Sequence, residues 1–215
     1  MKKHVALNHA FYELRNILRN PEQLLLIIGT PTALLVVFRD QSYIFSLTLA
    51  SCALASSFTS VAINTAFAKR YGTLKYISVT PVGIKGLAIG QTLVGCLLLV
   101  FQIPYVSILA LALGIEISLP LNAVIAIPFL VAIFTLLAFN FASLMSAEKV
   151  LAFANITFLA ILASGFKFVG SNYSFLHPVS GITFQAGISW EYPLTLFVYT
   201  GLMSFALRKF FKWID

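Results

Sequence analysis

Lys69-Arg70-Tyr71-Gly72-Thr73-Leu74-Lys75-Tyr76-Ile77-Ser78-Val79-Thr80-Pro81-Val82-Gly83-Ile84-Lys85 is a short basic island between two long uncharged runs, Tyr43–Phe67 and Gly86–Ile115. A helix needs roughly 20 apolar residues to cross a hydrocarbon core of ~30 Å, and each run is long enough. The island therefore reads as a loop between two membrane spans. A third uncharged stretch lies between Glu116 and Glu148, with Pro120 and Asn122 at its turn. Three shorter runs follow the same logic. The first is interrupted by Gly29-Thr30-Pro31, another is bounded by Lys149 and Lys167, and the last opens with Pro193 and closes at Arg208. Proline suits a helix start, where its missing N–H costs nothing. The sequence predicts an all-α membrane protein of six spans, at about 21–38, 43–67, 86–113, 121–144, 150–168 and 192–207.

Composition agrees. The 215 residues are 60% hydrophobic and 10% charged, with mean hydropathy +0.94, whereas a soluble domain carries about 25% charged residues. The length fits a single membrane domain, 1–215, without an added soluble one. The net charge of +7 does not imply nucleic acid, because the cations sit in small clusters at the ends of apolar runs. There they set topology. Six spans put both termini on one side, and twelve of the 14 basic residues fall on that side; only Arg39 and Lys167 fall on the other. Such asymmetry predicts cytoplasmic termini and a multi-pass protein of the cell membrane. Cys52 and Cys96 both lie inside apolar runs and read as small packing residues. The first strong apolar run begins at Leu24 with no small-residue cleavage site after it, so no removable signal peptide is expected.

Two elements outside the spans carry a pattern. Leu7, Ala10, Phe11, Leu14, Ile17 and Leu18 share one helical face, with Asn8, Tyr12, Arg15, Asn16 and Arg19 on the other. This is the design of a helix lying in the interfacial plane, apolar side in lipid and basic side toward headgroups. In the island, Gly72 permits a tight turn and Thr73 can cap. Leu74 and Ile77 share a face opposite Lys75 and Ser78. Thr80, before Pro81, is pushed toward extended geometry, so this helix stops near Val79. Two turns of helix are not stable alone in water, so the element must dock.

Gly72-Thr73-Leu74, then Thr80-Pro81, then Gly90-Gln91-Thr92-Leu93 resembles the signature of ATP-binding-cassette (ABC) transporter permeases of type 2. The opening Glu13-Leu14-Arg15, Leu18-Arg19-Asn20-Pro21, with Pro31 inside the first span, is similar to the start of that family. The resemblance implies a connecting helix that includes Leu7, Phe11, Leu14, Arg15, Leu18 and Arg19. It also implies a coupling helix contacting an ATPase through Lys69, Arg70, Gly72, Thr73, Leu74, Lys75, Ile77, Thr80 and Pro81. Re-entrant helices between spans five and six, within Val169–Glu191, are implied as well. It further implies ABC ATP-binding subunits and a second permease copy, identical or similar, as partners beside the lipid bilayer. The chain has no Gly-x-x-x-x-Gly-Lys-Ser/Thr phosphate loop. ATP and magnesium would therefore be bound by the partner subunit, with no cofactor and no enzyme activity in this chain.

Polar residues inside the spans suggest where a pathway would run. Asn64, Gln91, Asn140 and Asn155 fall in the cytoplasmic halves of their spans, and Ser56 and Ser60 belong to a hydroxyl-rich second span. Amides are costly in lipid and are expected to face the bundle interior, either bonding helices together or lining a vestibule. The carboxylates Glu13, Glu22, Asp40, Glu116, Glu148, Glu191 and Asp215 are all at span ends or in loops, which counts against ion-coupled transport. His4, His9 and His177 have no ligand-like spacing, so no metal site is expected. Two alternatives to an ABC permease remain at this point: a membrane assembly or scaffold protein, and an ATP-independent small-molecule transporter.

Overall fold

The chain turns a corner at Asn20-Pro21. In the computed structural model, which describes residues 2–73, 83–117, 121–169, 179 and 191–210, helix α1 (Lys2–Arg19) meets helix α2 (Pro21–Val37) there. The Asn20 side chain accepts the Gln23 backbone N–H at 3.4 Å, and Pro21 takes the first helical position. Both are helix-start chemistry. The axes bend by 76° across the corner.

Five helices follow the corner. They are α3 (Ile44–Arg70), α4 (Gly83–Ala112), α5 (Leu121–Leu144), α6 (Ala147–Phe168) and α7 (Glu191–Phe210). No strand occurs among the described residues. Three helices contain a segment long and apolar enough to cross a membrane: Ile44–Arg70, Gly86–Ala112 and Ile125–Ala142. A fourth counts if the bent pair Ala10–Arg19 and Gln23–Val37 is one span. The described apolar parts of α6 and α7, Ala152–Lys167 and Leu194–Phe205, are shorter than that requirement. The expected re-entrant helices lie almost wholly outside the described residues.

α3 is the central post. It packs against α2, α4, α5 and α6, while α7 runs along α5 and α1 lies on α4. From Ile44 to Ala62 every side chain of α3 is buried. Much of that length is Ser, Thr and Ala, which lets neighbouring backbones come close. Two of the hydroxyls turn back on their own helix: Ser51 Oγ donates to the Thr48 carbonyl at 2.7 Å, and Ser56 Oγ to the Cys52 carbonyl at 2.8 Å. Those of Thr48, Ser57 and Ser60 are buried with no hydrogen-bond partner among the described residues. Between Ala55 and Thr59 the helix widens into one π-turn. Gly95 of α4 faces this turn so closely that a Cβ there would stand 2.7 Å from both Ser57 Oγ and Val131 Cγ1.

The outer surface is apolar. Leu25, Val37, Phe101, Ile108, Leu111, Leu159, Phe197 and Phe205 are all exposed. Monomeric soluble proteins rarely expose apolar patches beyond a few hundred Å², so a belt of this kind on long apolar helices marks a membrane protein.

Pro31 explains a feature inside α2. It has no N–H, so the Ile27 carbonyl loses its helical partner. Gln102 of α4 replaces it, donating Nε2 to the Ile27 oxygen at 2.9 Å. One turn away the Thr32 hydroxyl lies 2.7 Å from the Tyr105 hydroxyl. In hydrocarbon no water can satisfy a freed carbonyl. The break in α2 is thus repaired by α4.

Candidate functional site

The densest inter-helix polar contact among the described residues joins α1 to three other helices. Asn64 of α3 donates Nδ2 to Glu13 Oε2 at 3.0 Å, and Gln23 of α2 donates Nε2 to Asn64 Oδ1 at 3.2 Å. Gln91 of α4 also hydrogen-bonds the Glu13 carboxylate. Burial pushes the Glu13 carboxyl above its ordinary value, and the Gln91 bond pulls it partly back. No basic side chain that the structure describes, which leaves out those of His9 and Lys85, pairs with it.

Helical rise sets the depth of this joint. At 1.5 Å per residue, Ile44 to Asn64 spans about 30 Å and Gln91 to Ala112 about 32 Å. Each distance matches a hydrocarbon core of ~30 Å. The joint therefore sits at one membrane face, and the last turns of α3, with Lys69 and Arg70, project beyond it.

α1 has three sides at this level. Ala10, Leu14 and Ile17 pack with Ile27, Val94 and Leu98 of the bundle. Leu7, Phe11 and Leu18 are exposed apolar residues, and Tyr12, Arg15 and Arg19 are exposed on the adjoining side. The single apolar face expected from sequence is thus divided. Half of it meets protein, and half is left for lipid.

The other expected residues are found in different settings. Lys69 donates Nζ to the Met145 carbonyl at 3.2 Å, tying the end of α3 to the α5–α6 turn. Arg70, Gly72 and Thr73 are exposed, and Gly72 has the positive φ, 70°, that ends α3. Tyr71 is exposed and stacks on Phe67 with ring centroids 6.2 Å apart. Leu74, Lys75, Ile77, Thr80 and Pro81 lie outside the described residues. Ser56 and Ser60 are sealed in the core. Asn64 and Gln91 belong to the joint. Asn140 binds helices together, its Nδ2 donating to the Leu136 carbonyl at 2.8 Å and to Met203 of α7 at 3.3 Å. Asn155 is exposed and, with Thr30, lines an otherwise apolar groove of about 390 Å³ between α2 and α6.

Three contributors had no role in the sequence reading: Glu13 as a bundle contact, Gln23, and Gln102. Glu13 could have been found by spacing, because residues 10, 13, 14 and 17 share one helical face. Comparison with known proteins adds no match: no family model, no curated protein and no solved structure matches the chain.

Proposed function

We propose that this chain is the permease subunit of an ABC transporter of type 2, working as an exporter in the cell membrane. In this reading it has six spans and cytoplasmic termini, and ATP with magnesium is bound by separate ATPase subunits. A second permease copy completes the pathway. The observation that supports the reading best is the joint. An amphipathic helix at 76° to the helix that follows it is fastened to α3 and α4, the two helices that flank segment 74–82. Force applied at that segment by a nucleotide-dependent partner would reach α1, α3 and α4 together. The exposed Arg70, Tyr71 and Thr73 lead directly into it.

Affinity purification of the tagged chain from native membranes tests the proposal. An ATP-binding-cassette subunit should co-purify in stoichiometric amount, and reproducible recovery without one rejects the reading. Charge reversal at Lys75 combined with Leu74→Ala or Ile77→Ala should leave ATP hydrolysis in that complex but abolish transport. Unchanged transport would sink the coupling assignment. A second reading, a non-transport membrane assembly factor, draws on one feature: Ser56 and Ser60 are sealed in a packed core. Recovery with a stable membrane complex lacking any ATPase is the outcome that favours it.

A further inference from the structure

The Glu13 joint differs from an ordinary inter-helix hydrogen bond in three ways. Its acceptor is a half-buried carboxyl group of α1 bonded to α3 and α4, with no salt bridge to any basic side chain that the structure describes. Every described side chain hydrogen-bonded into the network is an amide: Gln23 from α2, Asn64 from α3 and Gln91 from α4. The arginines of α1, Arg15 and Arg19, are exposed, and Lys69 of α3 reaches instead to Met145. Finally, Gln91 is 4% exposed, and its Oε1 has no hydrogen-bond donor among the described residues.

We propose that this joint is a proton-controlled clasp, in which the neutral Glu13 carboxyl holds α1 on α3 and α4 and its ionisation loosens the helix. The geometry accommodates both forms. An ionised carboxylate accepts from Asn64 and Gln91 as the structure stands. A neutral carboxyl needs an acceptor for its O–H, and a half-turn of the Gln91 amide brings Oε1 onto it. Amide nitrogen and oxygen are nearly the same shape, so the turn needs no repacking. Either orientation leaves one polar atom of Gln91 unpaired; the bond as it stands favours the ionised form, and burial opposes it more strongly. A switch requires that kind of balance.

Desolvation then sets the direction. Burial raises the carboxyl above its ordinary 4.5 while α1 is docked. By linkage the docked helix binds the proton more tightly than the released one. Docking is therefore fully supported below the ordinary value and weakens as pH rises through the raised one. Acid closes the clasp, and alkali opens it.

Backbone hydrogen exchange in α1 tests this on the full chain in phosphatidylcholine nanodiscs, whose headgroups do not titrate between pH 5 and 8. After correction for intrinsic exchange, α1 protection in the native protein should fall as pH rises, by about tenfold for each pKa unit that burial adds. Glu13→Gln should hold α1 protected at every pH. Asn64→Ala should lower protection throughout. If Glu13→Gln cannot be purified, Gln91→Ala serves instead: it removes the bond that opposes the shift and should move the midpoint upward. A flat profile in the native protein, the same slope in Glu13→Gln, or an unmoved midpoint in Gln91→Ala overturns the proposal. The measurement needs neither an ATPase nor a substrate, so its result is independent of the transport reading.

Discussion

Gly95→Ala should destabilise this protein, although alanine is the better helix former. The new methyl would stand 2.7 Å from Ser57 Oγ and 2.7 Å from Val131 Cγ1. Both neighbours belong to a packed contact of three helices, α3, α4 and α5, so neither can withdraw freely. Two such overlaps cost about 2–3 kcal/mol, the upper part of the range for overpacking. Against this, replacing an interior glycine by alanine returns about 1 kcal/mol of helix propensity. The net loss is then about 1–2 kcal/mol. The same substitution should reverse sign once the obstacles are removed. With Ser57→Ala and Val131→Ala in place, the remaining neighbour is the residue-57 Cβ at 3.7 Å, an ordinary contact. The propensity term then stands alone, and Gly95→Ala should stabilise by up to about 1 kcal/mol. Thermal unfolding of the four proteins in one detergent reads both effects. The same sign in both backgrounds would refute the packing argument, because propensity or general loosening would then explain the result without a close approach at Gly95.

Three further outcomes follow from named contacts. Gln102→Leu orphans the Ile27 carbonyl and should cost about 1–3 kcal/mol. Pro31→Ala should suppress most of that loss by restoring a backbone N–H to the same oxygen, and equal losses with and without Pro31 would exclude the repair. Asn140→Leu removes the bond to Met203, worth about 1 kcal/mol between membrane helices. Hydrogen exchange should rise in α7 while α3 stays protected, and unchanged exchange in α7 would rule out Asn140 as a tie. In a background lacking Cys52 and Cys96, the described free cysteines, single cysteines at positions 39 and 70 should react with an impermeant maleimide from opposite sides of the membrane. Labelling from one side would reject the orientation inferred from charge.

Three of the six expected spans, 43–67, 86–113 and 121–144, coincide with helices long and apolar enough to cross a membrane, because such a span announces itself by length and lack of charge, with no knowledge of its neighbours. The α1–α2 corner was legible too, since Asn20-Pro21 is a local signal whose cap and first residue act on adjacent backbone. Repair was harder to see than damage. Pro31 advertises a break in α2, but nothing in the sequence points to Gln102 as the side chain that fills it, because that partnership is made only by packing. Glu13 was misjudged for a different reason. A carboxylate suggests water, yet its place between Ala10 and Ile17 on one helical face turns it inward. Ser56 and Ser60 mislead in the opposite sense. Their hydroxyls suggest a pathway, but both are sealed in the core: Ser56 satisfies itself on the preceding turn, while the Ser60 hydroxyl has no hydrogen-bond partner among the described residues.

These placements bear on how the bundle could move. α3 is buried on every side for most of its length and meets four neighbours, so it cannot rotate or slide without breaking contacts all around it. Packed cores are bistable at best and do not deform continuously. Motion is more cheaply admitted at the periphery, where α1 is fastened by one carboxyl network and a small apolar patch, and where α7 leans chiefly on α5. Energy delivered near Arg70 would then displace α3 with its neighbours as one body and change the angle at the α1–α2 corner, where Asn20 and Pro21 mark the break between two helices. On the transport reading, a single copy moves as a rigid wall, and the opening that a substrate needs would form between walls, with polar side chains such as Thr30 and Asn155 available on the outer surface rather than along the sealed axis of α3.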